Sequence, residues 1–206
     1  MTVPPTIFIV DDDSSVRRSL VRLVQSHGRQ VREFPSAEAF LQQHDPGQPG
    51  CLVLDLSMPG LDGLSLQREL DAARISLPII FITGHGSIPS SVQAMKAGAI
   101  DFLTKPVGQD ALMRAIDAAL EKDRLARQNH AEISGIEARL ATLTPREREV
   151  LAYVVAGKVN KQIAASLGTV EKTIKVHRSR LMQKLGITSV AQLVKLVGRV
   201  GIVGPP

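Results

Sequence analysis

Five short apolar runs, each followed by a more polar segment of helical period, most strongly limit how this chain can fold. Strands that are apolar at nearly every residue suit a parallel sheet covered on both faces, and right-handed crossovers then give a doubly wound α/β domain. The sequence therefore predicts a (βα)5 domain over residues 1–120. Its strands are TIFIV, QVREF, CLVLD, PIIFIT and IDFLT, and its helices begin near Ser14, Ser36, Leu64, Ser87 and Gly108.

Polar residues stand where these strands end. Asp11 and Asp12 follow the first strand, Asp55 ends the third, Thr83 ends the fourth and Lys105 follows the fifth. In doubly wound sheets, ligands bind beyond the carboxyl ends of the strands. All five side chains are therefore expected at one edge of the sheet.

The acidic run from Asp11 to Asp13 has two interpretations. Aspartates at this place can cap the N–H groups of the following helix, which needs no ligand. If the first and third strands are neighbours, however, Asp55 joins the cluster, and carboxylates about 6 Å apart repel by roughly 3 kcal/mol per pair at an effective dielectric constant near 20. Such a cluster needs a cation or a proton, and oxygen ligands without histidine or cysteine favour Mg²⁺.

Four motifs together resemble the receiver domain of two-component response regulators over nearly all of residues 6–120: VDDD, VLDLSMPGLDG, FITGHG and DFLTKP. The resemblance implies a flavodoxin-like fold in which Asp55 accepts a phosphoryl group from a phosphohistidine. It implies that Asp12 binds Mg²⁺ directly, Asp11 through water, and that Asp55 and the backbone carbonyl of Ser57 complete the protein ligands.

The same resemblance implies how the phosphoryl group is sensed. Thr83 and Phe102 would form a switch pair, and Lys105 would contact the phosphoryl oxygens. The Lys105–Pro106 bond could be cis, which an X-Pro peptide holds at modest cost. Asp13 and His85 are expected to be only capping or loop residues.

Two other uses of a doubly wound domain are disfavoured by the residues. A flavodoxin-type nucleotide site needs a glycine- or hydroxyl-rich turn after the first strand, whereas DDDSS would repel a phosphate unless a metal were bound. A haloacid-dehalogenase-like phosphatase has an acid two residues after its nucleophile, and Ser57 occupies that place. Without such an acid, turnover of phosphoesters is not expected.

Net charge divides the chain into two parts of opposite sign. Residues 1–120 carry 10 Lys and Arg against 13 Asp and Glu, whereas residues 121–206 carry 15 against 7. The basic part is the better candidate to bind a polyanion. Because the chain has no Trp, one Tyr and five Phe, few rings could stack on splayed bases, which favours duplex DNA. No signal peptide or membrane-spanning run is evident, so a cytosolic location is expected, with Cys51 as a buried strand residue.

A second domain is predicted over residues 141–206. Before it, residues 121–140 are charged with scattered Leu and Ile, which predicts a helical linker with a break near Asn129 or Gly135. The sequence TPRE from Thr144 to Glu147 is a capping box with proline at the first helical position. Four helices joined by tight turns follow, and together with the basic charge they indicate a helix-turn-helix.

This region is similar to the LuxR-type four-helix DNA-binding domain of NarL/FixJ-family regulators over about residues 140–200. The similarity is carried by LTPREREVLAYVVAG and NKQIAASLGTVEKTIKVHRSRLMQKLGI. A receiver domain followed by such a DNA-binding domain resembles the FixJ-like subgroup most.

Angular position separates two faces of the third helix of this domain. At 100° per residue, Ile174, Leu181 and Leu185 point in one direction and predict the core stripe. Residues on or near the opposite face, together with polar residues of the preceding turn and helix, are candidates to contact bases or phosphates. These candidates are Lys172, Thr173, Lys175, Val176, Ser179, Gln183, Asn160 and Lys161, with Lys158 beside them.

Arg178 is an exception among the basic residues of this helix. Its angle places it beside the core stripe, so a structural role is predicted, with Glu147 or Glu149 as its partner.

The sequence predicts a transcription regulator controlled by phosphorylation of Asp55. Its expected partners are a sensor histidine kinase, double-stranded promoter DNA, RNA polymerase and a second copy of the chain, bound through the fourth helix and fifth strand. No independent enzymatic turnover is expected beyond slow self-dephosphorylation. The alternatives are a constitutive DNA-binding protein, disfavoured by the complete acid set, and a stand-alone Mg²⁺ phosphohydrolase.

Overall fold

The computed structural model describes residues 3–84 and 88–201. The expected helix start at Ser87 and the loop residue His85 lie outside these ranges. The chain divides into two compact units, Met1–Arg127 and Gln128–Pro206, which we call the N-terminal and C-terminal units.

The N-terminal unit is built on a parallel sheet with strand order β2-β1-β3-β4-β5. This is the doubly wound arrangement that the sequence predicts. Since β1 lies between β2 and β3, with Val10 opposite Leu54, the chain emerges from both strands at the same edge. In chain order its elements are β1 (Thr6–Val10), α1 (Ser14–Ser26), β2 (Gln30–Phe34), α2 (Ala37–Gln43), β3 (Gly50–Asp55), α3 (Gly63–Ala72), β4 (Ile79–Thr83), α4 (Ile88–Lys96) and β5 (Asp101–Thr104).

The central strands are buried on both faces, which explains their continuous apolar sequences. In β1, Phe8 and Val10 belong to the core on one face of the sheet, whereas Ile7 and Ile9 belong to the core on the other face. Cys51 is buried as expected, and burial raises the pKa of its thiol to about 12. The thiol therefore stays protonated and unreactive at neutral pH.

Helix α5 runs without interruption over Gln109–Ala141, 33 residues. The predicted break near Asn129 or Gly135 is therefore wrong. A glycine costs a helix only about 1 kcal/mol, and Ile136 and Leu140, which follow it, are buried in the core of the C-terminal unit. Burial of two such side chains outweighs that cost. Among the helices within the described ranges, none combines the length and apolarity needed to span a membrane.

Within residues 128–201, the described part of the C-terminal unit, four helices follow α5: α6 (Pro145–Val155), α7 (Asn160–Ser166), α8 (Glu171–Leu185) and α9 (Val190–Gly198). The predicted capping box is confirmed, because the Thr144 hydroxyl accepts from the Glu147 N–H and the Glu147 side chain accepts from the Thr144 N–H. The predicted core stripe of α8 is confirmed as well, since its three members are fully buried: Ile174, Leu181 and Leu185.

Glu147 gives the C-terminal unit a dependence on pH. The Lys184 ammonium donates to its carboxylate at 2.7 Å, and this bond, with the Thr144 N–H, holds the pKa of Glu147 below its ordinary value of 4.5. Because the unfolded chain takes up this proton first as pH falls, the stabilisation is complete above about pH 4.5 and is lost as pH passes below the folded-state pKa.

We therefore expect acid to destabilise the wild-type chain more than Glu147→Gln. The test is urea unfolding between pH 6 and pH 3, followed by fluorescence of Tyr153, the single tyrosine in a chain without tryptophan. Tyr153 packs against the core of the C-terminal unit and so reports on that unit. Parallel pH profiles for the two proteins would contradict this role of Glu147.

Candidate functional site

Three carboxylates meet at the carboxyl edge of the sheet, beyond β1 and β3. Asp11, Asp12 and Asp55 each offer an oxygen, and these atoms lie within 4.8 Å of one another. Asp11 and Asp55 are buried, whereas Asp12 is exposed. The pairing of β1 with β3 brings the three together, as the sequence predicts. Asp13 turns away and caps α1, accepting from the N–H groups of Ser15 and Val16.

Lys105 supplies positive charge to this acidic cluster. Its ammonium nitrogen lies 2.7 Å from Asp55 Oδ2 and 2.8 Å from Asp11 Oδ2. Burial alone would lower the pKa of Lys105, but the two carboxylates outweigh burial and raise it. Burial raises the pKa of Asp11, the Asp55 charge acts in the same direction, and the Lys105 ammonium opposes both. The predicted placement of Lys105 at this edge is confirmed.

The other residues expected at this edge lie close by. The Ser57 N–H donates to Asp55 Oδ1 at 3.3 Å, and the Thr83 carbonyl accepts from the Lys105 N–H at 2.7 Å. Thr83 is fully buried at the end of β4, and the half-buried Phe102 ring lies 6.4 Å from the Phe81 ring. The Lys105–Pro106 bond is cis. Whether Thr83 and Phe102 act as a switch stays a prediction.

Arg17 is a residue of the site that the sequence analysis missed. From α1 its guanidinium donates to the Asp11 carbonyl at 2.7 Å and to the Glu33 carboxylate at 3.0 Å. The side chain therefore ties the acidic turn after β1 to strand β2. Its position four residues after the capping Asp13 is a local signal, but the contact with Glu33 depends on the sheet order.

The acidic cluster has the donor set of a hard divalent cation. All of its ligand atoms are oxygens, and the buried Asp11 Oδ2 has Lys105 as a charge partner but, among the residues that the structure describes, no contact with hydrogen-bond geometry. Mg²⁺ prefers carboxylate oxygens and keeps several waters, and the exposed Asp12 leaves one side of the cluster open to solvent. The residues present therefore fit Mg²⁺.

In the C-terminal unit, α8 presents a polar face. Lys175, Ser179 and Gln183 are exposed, as is Lys172 near the helix start, and Val176 is 43% exposed among them. Thr173 is half-buried, and Lys158 and Lys161 are exposed near α7. Opposite this face lies the buried stripe of α8. The geometry is that of a helix available to the major groove of DNA.

The pairing predicted for Arg178 is wrong, although the residue is half-buried beside the core stripe as expected. Its guanidinium donates to the Asn160 side-chain oxygen at 3.0 Å. Both carboxylates proposed as partners are held elsewhere, because Glu147 binds Lys184 and Glu149 binds Arg146. Residues spaced along different helices leave no local signal that would show which cation reaches which acid.

Two substitutions separate structural from DNA-contacting roles in α8. Arg178→Ala removes the bond between α8 and α7, so we expect a loss of about 1 to 2 kcal/mol of stability. Lys175→Ala removes an exposed charge whose nearest acid, Glu171, is 4.0 Å away, so we expect weaker DNA binding with an unchanged unfolding midpoint. Tyr153 fluorescence in urea and titration with duplex DNA measure the two effects, and the reverse pattern would refute both assignments.

Both units match families of known proteins. Residues 7–117 match the response regulator receiver domain, and residues 141–197 match the luxR family of bacterial regulatory proteins. Nodulation protein W of Bradyrhizobium diazoefficiens is 45% identical over 95% of this chain and 86% of its own length. The transcriptional regulatory protein FixJ of the same organism is 41% identical over 98% of both chains. The solved structure of the response regulator StyR is 48% identical and superposes with a TM-score of 0.88, covering 96% of this chain and all of that one.

These matches and the sheet-edge site define a two-component response regulator with a DNA-binding output domain. Within that class, the chain belongs to the receiver–LuxR family that includes the FixJ regulators. The family prediction made from the sequence is confirmed, and so is the fold of an α/β receiver followed by an all-α domain.

Proposed function

We propose that this chain is a transcription regulator switched by phosphorylation of Asp55. The observation that carries the proposal is the buried Asp55 carboxylate, 2.7 Å from the Lys105 ammonium and within 4.8 Å of the oxygens of two further aspartates. A carboxylate alone is a poor nucleophile toward a phosphoryl dianion because the two repel. Fixed positive charge beside it removes that repulsion, and positioning with charge neutralisation supplies most of the catalysis of phosphoryl transfer.

Phosphoryl transfer to Asp55 exchanges one P–N bond for one P–O bond. An oxygen of Asp55 forms the new P–O bond while the P–N bond of a phosphohistidine breaks, and the freed imidazole nitrogen keeps the electron pair and takes a proton from water. Lys105 is placed to hold the phosphoryl oxygens, and Arg17 fixes the turn that carries Asp11 and Asp12. We expect a sensor histidine kinase to be the donor.

Mg²⁺ would be held by Asp11, Asp12, Asp55 and the Ser57 carbonyl. When bound, it supplies charge neutralisation and orientation for the phosphoryl oxygens. The buried Asp11 would gain from that charge, since its Oδ2 is paired with the Lys105 ammonium at 2.8 Å and an oxygen of Asp55 also lies nearby.

The proposed response to phosphorylation joins a change on the surface of the N-terminal unit to DNA binding by the C-terminal unit. Phosphorylation draws Thr83 inward, Phe102 follows, and the surface of α4 and β5 becomes competent to bind a second copy of the chain. Exposed Val92 and Met95 give α4 an apolar surface for that contact. The two C-terminal units of the dimer then bind two half-sites of promoter DNA in the cytoplasm. RNA polymerase is the further partner there. The chain has no turnover of its own beyond slow loss of its phosphoryl group.

Asp55→Asn tests the proposal, with Asp71→Asn as the control because Asp71 is an exposed carboxylate of the same unit. With acetyl phosphate and Mg²⁺, we expect the wild type and the control to gain the mass of one phosphoryl group, to dimerise and to bind DNA fragments more tightly. Asp55→Asn should do none of these. If all three proteins respond alike, Asp55 is not the switch.

A further inference from the structure

The last turns of α5 are part of the core of the DNA-binding unit. Ile136 and Leu140 are 5% and 9% exposed and pack in the same cluster as the buried stripe of α8. An ion pair of 2.6 Å joins Glu132 of α5 to Arg199 at the end of α9. The segment that the sequence predicts as a linker therefore packs as a further helix of the unit.

Two hydrogen bonds join the C-terminal ends of α5 and α8, one donated from each side. Arg139 of α5 donates from Nη1 to the Leu185 carbonyl of α8 at 2.8 Å, and Lys184 of α8 donates from Nζ to the Thr142 carbonyl after α5 at 3.1 Å. Carbonyls at a helix end lack partners within the helix, and cations there also meet the negative end of the helix dipole. We call Arg139 and Lys184 the reciprocal clamp.

The clamp is tied to the start of α6 as well. Lys184 donates at 2.7 Å to Glu147, which is 2% exposed and forms the capping box of that helix. Three helix ends are thus fixed relative to one another by charge-assisted bonds, each stronger than a neutral hydrogen bond.

We propose that Arg139 is a positioning residue for DNA recognition, a proposal that rests on the proposed DNA-binding function. It acts by fixing the end of α8. At 1.5 Å per residue, a tilt of about 10° at Leu185 would move Lys172 by roughly 3 Å. A displacement of that size breaks a hydrogen bond to a base edge or phosphate. Arg139 belongs to a helix that begins in the receiver unit, at Gln109.

Two other roles of Arg139 lead to different results. If its guanidinium contacted a DNA phosphate, its removal would reduce the slope of log K against log salt concentration by about one. If it served stability alone, the folded fraction of the variant would bind DNA as tightly as the wild type does.

The test compares Arg139→Ala, Arg139→Gln and Arg139→Lys with Arg124→Ala, which removes the same charge from α5 beside the exposed Glu121. The probe is a duplex selected by the wild-type chain from a random-sequence pool. Under conditions where Tyr153 fluorescence shows a folded unit, we expect about 10-fold weaker binding for the Ala and Gln variants at an unchanged salt slope. We expect recovery in the Lys variant and no effect of Arg124→Ala. If Arg139→Ala fails to fold, the Gln and Lys variants decide.

Amide hydrogen exchange without DNA gives an independent result. Loss of the clamp should speed exchange in the last turn of α8 more than in the middle of α6. Wild-type affinity in the folded Ala or Gln variant, a salt slope lower by one, or unchanged exchange would each overturn the proposal. If the wild type selects no duplex, the DNA-binding function fails, and the exchange result still decides whether the clamp holds α8.

Discussion

Replacing Gly63 by alanine will destabilise the receiver unit by about 3 kcal/mol and remove its response to acetyl phosphate. Gly63 is the buried first residue of α3, and its N–H donates to the Leu56 carbonyl at 3.0 Å. A Cβ added there would lie 2.5 Å from the Asp55 carbonyl oxygen and 3.0 Å from Leu56 Cα. Both are backbone atoms, so the clash is relieved only by moving the end of β3. That movement displaces the Asp55 carboxylate from Lys105.

Gly108→Ala is the matched control, because a Cβ at Gly108 would meet no atom of the described residues within 4 Å, its chain neighbours aside. Urea unfolding followed by circular dichroism measures the loss of stability, and mass spectrometry measures phosphoryl uptake. Tyr153 fluorescence follows the DNA-binding unit separately and should give the wild-type midpoint in both variants. If the Gly63→Ala chain took up phosphoryl groups at the wild-type rate, the end of β3 could move without displacing Asp55, and the prediction would be wrong.

The receiver site could be predicted from the sequence because a repeated local pattern determines it. Continuous apolar strands require a sheet covered on both faces, and the strand ends then bring Asp11, Asp55 and Lys105 to one edge. The capping box at Thr144 and the core stripe of α8 are local patterns too, and both were predicted correctly. For the capping box and the stripe, the spacing along the chain fixes which atoms meet, whereas Asp11 meets Asp55 because β1 and β3 are also neighbours in the sheet.

The contacts that the sequence analysis missed join residues far apart in the chain. Arg17 reaches Glu33 only because β1 and β2 are neighbours, and Arg178 finds Asn160 rather than an acid because of how α7 packs on α8. The continuity of α5 was missed for a related reason. Helix propensity at Gly135 argues for a break, but burial of Ile136, a tertiary effect, decides the outcome.

Lys105→Met will change Mg²⁺ binding and phosphoryl uptake at the acidic cluster in opposite directions. We expect Mg²⁺ to bind about 10-fold more tightly, because the ammonium 2.7 Å from Asp55 and 2.8 Å from Asp11 neutralises the carboxylates and repels a second cation. We expect phosphoryl uptake from acetyl phosphate to be about 100-fold slower, because the group that would neutralise the phosphoryl oxygens is lost.

The opposite signs of these two effects make the Lys105→Met experiment decisive. A change that only disordered the site would weaken Mg²⁺ binding and phosphoryl uptake together. Titration calorimetry with Mg²⁺ and mass spectrometry with acetyl phosphate measure the two effects, and Lys96→Met controls for the loss of one lysine because Lys96 is exposed on α4. If Lys105→Met bound Mg²⁺ no more tightly than the control, Lys105 would not be the cation that balances Asp11 and Asp55. The close approach of the buried Asp11 and Asp55 would then require another explanation.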